Sequence, residues 1–532
     1  MALAAALAAA ACGSGDARPP PTRPGAPVAA TSAEVGHTSA VSDVHHRSRF
    51  EIAVDIPART LAPDDVRVEA RFTAPSGAVI TTGGFASHGS HHVRFTPREV
   101  GVYDYVVRAD GGDGLHEVAR GQVRATPGRA GGFIGLDAAD HHRLARENGE
   151  PVYVLGENRI DLGAIPGELD TQAYLERMAG EGMRTVRVVV PSSCESAATR
   201  ASSPPGCLEP AAGRFDERTA DAMDALFDGA ERSHVDVVLV AFSRGGNGSA
   251  RLPAEMFTSP SQRADAARRL RYIADRWGAS PRLLALELLD APEADDVVAE
   301  STWRPWAEAM RDAWRSTDPY GHLLTTGLAG LRAGDDVVGL HVHGKAHEPA
   351  HARALAASRG VAEVYGLGKP ITCADFAEAG DDETSRDRTH DGLWSLVFSG
   401  AGALVPHGAR FDVLSEFLRA FHVAPVAPAH DVIVSRGKAR AWSLVTPDAL
   451  ARGFWLLGGP EGYGRAVSGV EIALPAPPAG RYVVTWIDDQ TGKLVARSSL
   501  SSRGSGDVRV QVPAFTRHIA ARMSRDVPSA EH

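Results

Sequence analysis

The sequence predicts a central (β/α)8 TIM barrel flanked by two β-sandwiches, a multidomain chain of the α/β plus all-β class. Three observations carry this. Between about residues 129 and 430, short apolar runs alternate with longer stretches of helical periodicity. This happens eight times in about 300 residues, the size of a TIM barrel with loop insertions. On either side, residues 32–128 and 431–525 break into short segments in which apolar and polar residues alternate between Pro, Gly and Asp, the pattern of β-sandwiches. The length, 532 residues, suits about three domains, and a hydrophobic content of 43% is ordinary for globular protein.

The chain opens MALAAALAAAACGSGDARPPPTRPG. Residues 1–12 resemble a bacterial lipoprotein signal, in which a small-residue box precedes a cysteine, here Cys12, that is cleaved and lipidated. The resemblance implies an exported lipoprotein, anchored through lipid alone on the periplasmic or cell-surface side. Residues 13–31 read as a Pro-rich tether without periodicity. No other stretch approaches the ~18 apolar residues that span a bilayer. Cys194 and Cys207 flank a polar loop and are expected to pair as a disulfide in an oxidising compartment. Cys373, in an apolar run, reads as a buried free thiol.

In the N-terminal unit the expected strands are RFEIAVDIP, VRVEARFTA, AVITTGGF, HHVRFTP, GVYDYVVRA and EVARGQVRA. In the barrel the strands, in order, are PVYVLG, TVRVVVP, VDVVLVAF, LLALELLD, HLLTTG, DVVGLHVHG, PITCAD and GALVPHG. Amphipathic stretches such as TQAYLERMAGEGM, ERTADAMDALFDGAERS and SQRADAARRLRYIADRW separate them, each with the 3.6-residue period of a helix. Trp303, Trp306 and Trp314 fall on one such helix and read as core. The C-terminal unit reads as DVIVSRG, ARAWSLV, ARGFWLLGG, GRYVVTWIDDQTGKLV, VRVQVP and HIAARM. The pairs His45-His46, His91-His92 and His141-His142 read as solvated surface.

Residues 268–293, RRLRYIADRWGASPRLLALELLDAPE, are one helix–strand step that delivers acidic residues at a strand's C-terminal end, where such barrels place their sites. The segment resembles R-L-R-Y-I-x-A-R-W-G-Y-S-P-x-I-x-A-W-E-L-W-N-E in glycoside hydrolases related to family 5. Residues 92–105, HVRFTPREVGVYDY, resemble the R-F-x-P-x-x-x-G-x-Y-x-Y strand pair of an immunoglobulin-like domain, domain of unknown function 5060, that precedes those barrels. Residues 480–495 resemble the G-x-Y-x-V-x-W-x-D-x-x-T-G hairpin of the β-sandwich that closes them.

The resemblance gives the strand ends their former roles. The catalytic Asn-Glu of the family is here Asp290-Ala291, so the expected proton donor is absent. The family nucleophile, a Glu, is here Asp375, whose shorter side chain withdraws the carboxylate by about 1.5 Å. Arg187 matches the arginine that holds that nucleophile ionised, and Glu157-Asn158 matches a family G-E-N. His341 and His343 stand where the family has His and Tyr, and His407 where it has the Trp that floors a sugar subsite. Leu286 and Leu289 also replace Trp, which depletes the aromatic floor. Asp290 lies one residue early and, by strand alternation, should not point where the lost Glu pointed unless a bulge re-aims it.

These residues leave three readings open. The favoured one is a catalytically degenerate hydrolase, a pseudoenzyme that binds poly- or oligosaccharide or serves as a scaffold. The second is an active hydrolase that pairs Asp375 with Asp290, Glu293 or Glu157, at the roughly 5–5.5 Å of retaining or 6.5–9.5 Å of inverting enzymes. The third is a metal-dependent hydrolase using His341, His343, Asp375 and His407. The first needs no metal and no cofactor. A formal charge of −10 argues against a nucleic-acid partner.

Overall fold

The structure, a computed structural model, describes residues 42–56, 61–159, 171–191, 207–243, 254–290, 300–327, 334–342, 349–375, 383–405, 411–421, 426–459 and 465–526. Cys12, Cys194, Ala291, Glu293, His343 and His407 lie outside these residues.

The expected barrel is present as eight parallel strands. They are β1 (Leu155–Arg159), β2 (Thr185–Val189), β3 (Asp236–Phe242), β4 (Leu283–Leu289), β5 (Leu323–Thr325), β6 (Val338–His341), β7 (Ile371–Asp375) and β8 (Ala401–Val405). Their order around the sheet is β5-β4-β3-β2-β1-β8-β7-β6. The gap between β5 and β6 is bridged where the Asp336 and Val337 N–H groups donate to the Leu324 carbonyl, at 2.9 and 3.5 Å. Around them lie α1 (Thr171–Gly180), α2 (Glu217–Ser233), α3 (Ala254–Thr258), α4 (Pro260–Trp277), α5 (Glu300–Thr317), α6 (Ala350–Tyr365), α7 (Glu383–Phe398) and α8 (Asp412–Arg419). Every residue of β2, β3 and β4 is buried, as parallel strands covered on both faces require.

The two faces of the strands have different jobs. Val186, Val188, Leu286 and Leu288 face outward and join one large core with Trp277, Trp306 and Trp314. Val238, Ala285, Ala374 and Leu404 join a second cluster with Ile134, Leu144 and Val154. Ile134 and Leu144 belong to a small antiparallel sheet of Ile134–Leu136, Leu144–Arg146 and Pro151–Val152, which closes the end where the strands begin. This corrects the expected first strand: Pro151 and Val152 belong to the plug, and the barrel strand starts at Leu155. The run PVYVLG is continuous in hydrophobicity, so its pattern alone could not separate the two.

Before the barrel, seven strands between Ser42 and Thr126 are ordered Ser42–His45, Leu115–Thr126, Gly101–Asp110, Arg67–Thr73, Val79–Ser87, Ser90–Phe95, Phe50–Val54. The alternation read from the sequence builds their core. Val68, Ala70 and Phe72 are buried with Tyr103 and Val107, and Phe72 stacks on Phe95 at 3.9 Å. His91, expected at the surface, is buried instead, with Nε2 3.1 Å from the Pro63 carbonyl oxygen. The unit docks on the barrel through Arg94, which donates to both carboxylate oxygens of Asp224 on α2, at 2.7 and 3.0 Å. Arg276 on α4 binds the same carboxylate at 2.7 Å. Burial would raise Asp224, but these two guanidinium groups hold it well below the usual carboxylate range.

The strand Val79–Ser87 changes partner midway. Up to Gly83 it pairs with Arg67–Thr73, and from Gly84 with Ser90–Phe95. Nothing larger than glycine fits at the change. A Cβ on Gly84 would lie 2.7 Å from the His92 carbonyl oxygen, and one on Gly83 only 2.2 Å from Asp275 Oδ1 on α4. Gly83→Ala is therefore expected to destabilise by about 1–3 kcal/mol, as overpacking does. In an Asp275→Ala background most of that loss should vanish. Equal losses in both backgrounds, read from urea unfolding, would place the strain in the strand itself.

After the barrel, strands Ala427–Ala429, Ala439–Val445, Ala451–Gly458, His518–Arg525, Gly480–Ile487 and Leu494–Ser502 form one sheet. Ile433–Arg436, Glu471–Pro475 and Asp507–Gln511 form a second. Tyr482, Val484 and Trp486, alternating along one strand, fill the core between them with Phe454, Ile472 and Val510. Trp455 turns the other way and stacks on Trp394 of α7, with ring centroids 6.4 Å apart. Cys373 is buried and is in no disulfide, as expected. Cys207 is disulfide-bonded, and its expected partner Cys194 falls outside the described residues.

Candidate active-site cleft

Arg187 is the centre of the polar region at the strands' C-terminal ends. It sits mid-strand in β2, between Val186 and Val188, whose side chains join the helix-side core. Alternation turns Arg187 to the opposite face, into the barrel. There it meets Glu287 of β4 in a two-pronged pair: Nε donates to Oε2 at 2.8 Å and Nη2 to Oε1 at 2.7 Å. Nη2 also donates to Asp290 Oδ1 at 2.7 Å, and Nη1 to Asn158 Oδ1 of β1 at 3.0 Å. Ser243, just past β3, donates its hydroxyl to Asp290 Oδ2 at 3.2 Å. Asn158 in turn donates to the Ala374 carbonyl in β7 at 2.5 Å. Residues from five strands or their ends thus join one hydrogen-bonded network around this guanidinium.

Arg187 and Glu287 are both buried. Burial would lower the guanidinium's pKa, but Glu287 and Asp290 hold it well above the usual arginine range, so it is a fixed positive charge. Gly327, just beyond β5, lies close over Glu287. Its φ is +69°, and a Cβ there would lie 2.0 Å from the Leu289 carbonyl oxygen and 3.2 Å from Glu287 Oε1.

Asp290 was expected not to point where the lost Glu pointed unless a bulge re-aimed it; it lies past the end of the strand and reaches Arg187. The regular strand ends at Leu289, and Asp290 lies in a bend where alternation no longer holds. Glu157 was a candidate acid, but its carboxylate faces α1. Tyr174 donates its hydroxyl to Oε2 at 2.5 Å and Arg177 approaches Oε1 at 3.4 Å. Glu157 precedes the inward-facing Asn158, so period two puts it on the helix side. Leu286 and Leu289 are buried in the large hydrophobic core.

Asp375 ends β7 and His341 ends β6, and the two are Cα partners. The register slips between Leu340 and His341, so two steps on β7 oppose one on β6. Such bulges recur beside active sites. Reading strand by strand brought Glu287 to the site but did not pair it with Arg187, and it missed Ser243. The signal was a carboxylate and a hydroxyl at strand ends, two strands and one strand from Arg187, which only the closed barrel brings together.

Comparisons with known proteins agree with the fold. A family model described as a domain of unknown function (DUF5060) matches residues 43–110. No curated protein matches the chain. Among solved structures, a candidate glycoside hydrolase from Bacteroides vulgatus ATCC 8482 is 16% identical with a TM-score of 0.66, over 91% of this chain and 100% of that one. A glycoside hydrolase of family 5 from the same organism is 15% identical with a TM-score of 0.54, over 74% of this chain and 94% of that one. A third structure, a glycoside hydrolase, is 14% identical with a TM-score of 0.52, over 76% and 98%. At these identities the likeness is one of fold. The chain is therefore similar in fold to glycoside hydrolases related to family 5, with a DUF5060 segment at its N-terminal side.

Proposed function

We propose that this is a glycoside-hydrolase-like pseudoenzyme that binds poly- or oligosaccharide, held at the outside of the cell by a lipid on Cys12. In this reading the two flanking β units are sandwiches, the first immunoglobulin-like, divided from the barrel near residues 128 and 430. The observation that supports it best is the clamp on Asp290. A general acid must carry a proton near neutral pH. A carboxylate 2.7 Å from a buried guanidinium and bonded to a hydroxyl is stabilised in its ionised form instead. Glu287 is committed to the same arginine, and Glu157 faces the helix layer. With Ala291 at the family's acid position, none of these three carboxylates is placed as a free proton donor.

The test uses aryl β-glycosides with good leaving groups, which need little protonation. Loss of general-acid assistance typically costs ~10²–10⁴-fold. The wild-type protein and Asp375→Asn should be equally inert, while retention on immobilised plant or microbial polysaccharide persists in both. Slow cleavage by wild type that Asp375→Asn abolishes would make Asp375 a working nucleophile and overturn the reading. The active alternative would then rest on Glu293 or an external proton source. Asp290→Asn should change neither binding nor residual rate by more than about twofold, because that carboxylate carries no catalytic proton.

A further inference from the structure

We propose that His390, Asp489 and His518 bind a divalent transition-metal ion of the zinc class, which ties the barrel to the C-terminal β unit. The site lies apart from the histidines at the barrel's strand ends. His390 is on α7, Asp489 follows the strand Gly480–Ile487, and His518 opens the strand His518–Arg525. One ligand atom from each falls within 4.8 Å of the others. His390 Nε2 is 3.2 Å from Asp489 Oδ2, and His518 Nδ1 is 2.5 Å from Asp489 Oδ1. Bond lengths of ~2.0–2.2 Å to zinc put neighbouring tetrahedral donors about 3.3 Å apart. The His390 contact is to Oδ2 and the His518 contact to Oδ1, so the ion would take both oxygens of Asp489, and the His518 spacing needs to open by about 0.8 Å.

The surroundings of His518 suit a ligated imidazole. His518 lies between two carboxylates, with Nε2 3.5 Å from Asp391 Oδ1 on the side away from Asp489. A neutral imidazole has one N–H, so one of its nitrogens would turn a lone pair on a carboxylate. A cation must sit in that gap, either a proton or a metal ion. With a metal on Nδ1, the Nε2–H points at Asp391, the carboxylate–histidine–metal arrangement that fixes ring orientation in metal sites. The Trp455 indole N–H holds Asp489 Oδ2 at 2.7 Å and orients the ligating carboxylate in the same way. Asp391, Asp489 and His518 are buried, whereas His390 is 16% exposed, which gives an ion a way in and leaves a fourth position for water. Two imidazoles and a carboxylate are the donor set that borderline ions such as Zn²⁺ and Co²⁺ prefer.

The experiment uses the full chain without a histidine tag, stripped with chelator and dialysed against Zn²⁺ or Co²⁺ alone. One equivalent should remain by elemental analysis, Co²⁺ should give the visible absorption of a four- or five-coordinate nitrogen–oxygen site, and the melting temperature should rise with free Zn²⁺. His390→Ala removes the most exposed ligand and should lower occupancy from one to near zero with an unchanged far-ultraviolet spectrum. Asp391→Asn should weaken binding by about 10–100-fold, the effect of losing an orienting carboxylate. These variants spare the Asp489–His518 pair, so they test the site even if His518→Ala fails to fold. No retention by the folded wild type would show that a proton fills the gap and overturn the proposal. Retention unchanged in His390→Ala would place the ion elsewhere and overturn it equally.

Discussion

Arg187→Met is expected to lower the free energy of unfolding by about 3–5 kcal/mol, the cost of stranding buried carboxylates without their cation. Arg187 is 1% exposed and makes four hydrogen bonds to Glu287, Asp290 and Asn158. Methionine fills much of the volume, so the loss would report charge and hydrogen bonding more than a cavity. Arg187→Lys should fall between, because an ammonium keeps the charge but cannot present the two-pronged fork to Glu287. The triple variant Arg187→Met, Glu287→Gln, Asp290→Asn should recover most of the loss, since neutral groups no longer need the guanidinium. Urea unfolding of the four proteins makes the comparison. A loss below about 1 kcal/mol for Arg187→Met would mean that water already solvates the carboxylates, and the view of Asp290 as a locked residue would fall with it.

The same arginine shows what could be read from the sequence and what could not. Its place in TVRVV, with valines on both sides, already fixed an inward-facing charge in a buried strand. Its partners were not legible. Glu287 lies 100 residues away, two strands around the barrel, and only closure of the sheet brings it within 2.8 Å. Glu157 shows the opposite error. The family pattern made it a candidate acid, whereas period two, counted from Asn158, puts it on the face of Tyr174. Asp290 escaped because alternation was carried one residue beyond the strand. The eight strands and both β units were legible, since each rests on local period and turn residues. The His390, Asp489 and His518 cluster was not, because its members lie in separate segments and no spacing joins them. What the sequence hid in each case was contact between distant elements, which no local pattern encodes.

A second such contact gives the chain an expected dependence on pH. Asp275 on α4 lies beneath Gly83, and burial pushes its carboxyl up to about 8, against the pull of Arg271 and of the Gly83 N–H. In the unfolded chain the same group ionises near ~3.9. Between those values the folded protein holds a proton that the unfolded chain has released. Stability from this group therefore falls as pH rises from ~4 to ~8, and is level above that. Asp224, held low by Arg94 and Arg276, and Glu51, held low by His92 and Arg94, give the opposite slope at acid pH, but Asp275→Asn leaves them in place. The difference between wild type and Asp275→Asn thus isolates one carboxyl. Asparagine never ionises, and its amide oxygen can still accept from Gly83. Near pH 4 the two proteins should agree within about 0.5 kcal/mol. At pH 9 the variant should be more stable by about 1–3 kcal/mol, less than the full shift implies because the carboxyl is only partly buried. Unfolding midpoints at pH 4, 6 and 9 decide it. Parallel curves would mean that the carboxyl ionises freely in the folded state, which requires the N-terminal unit to part from α4 there and let water in.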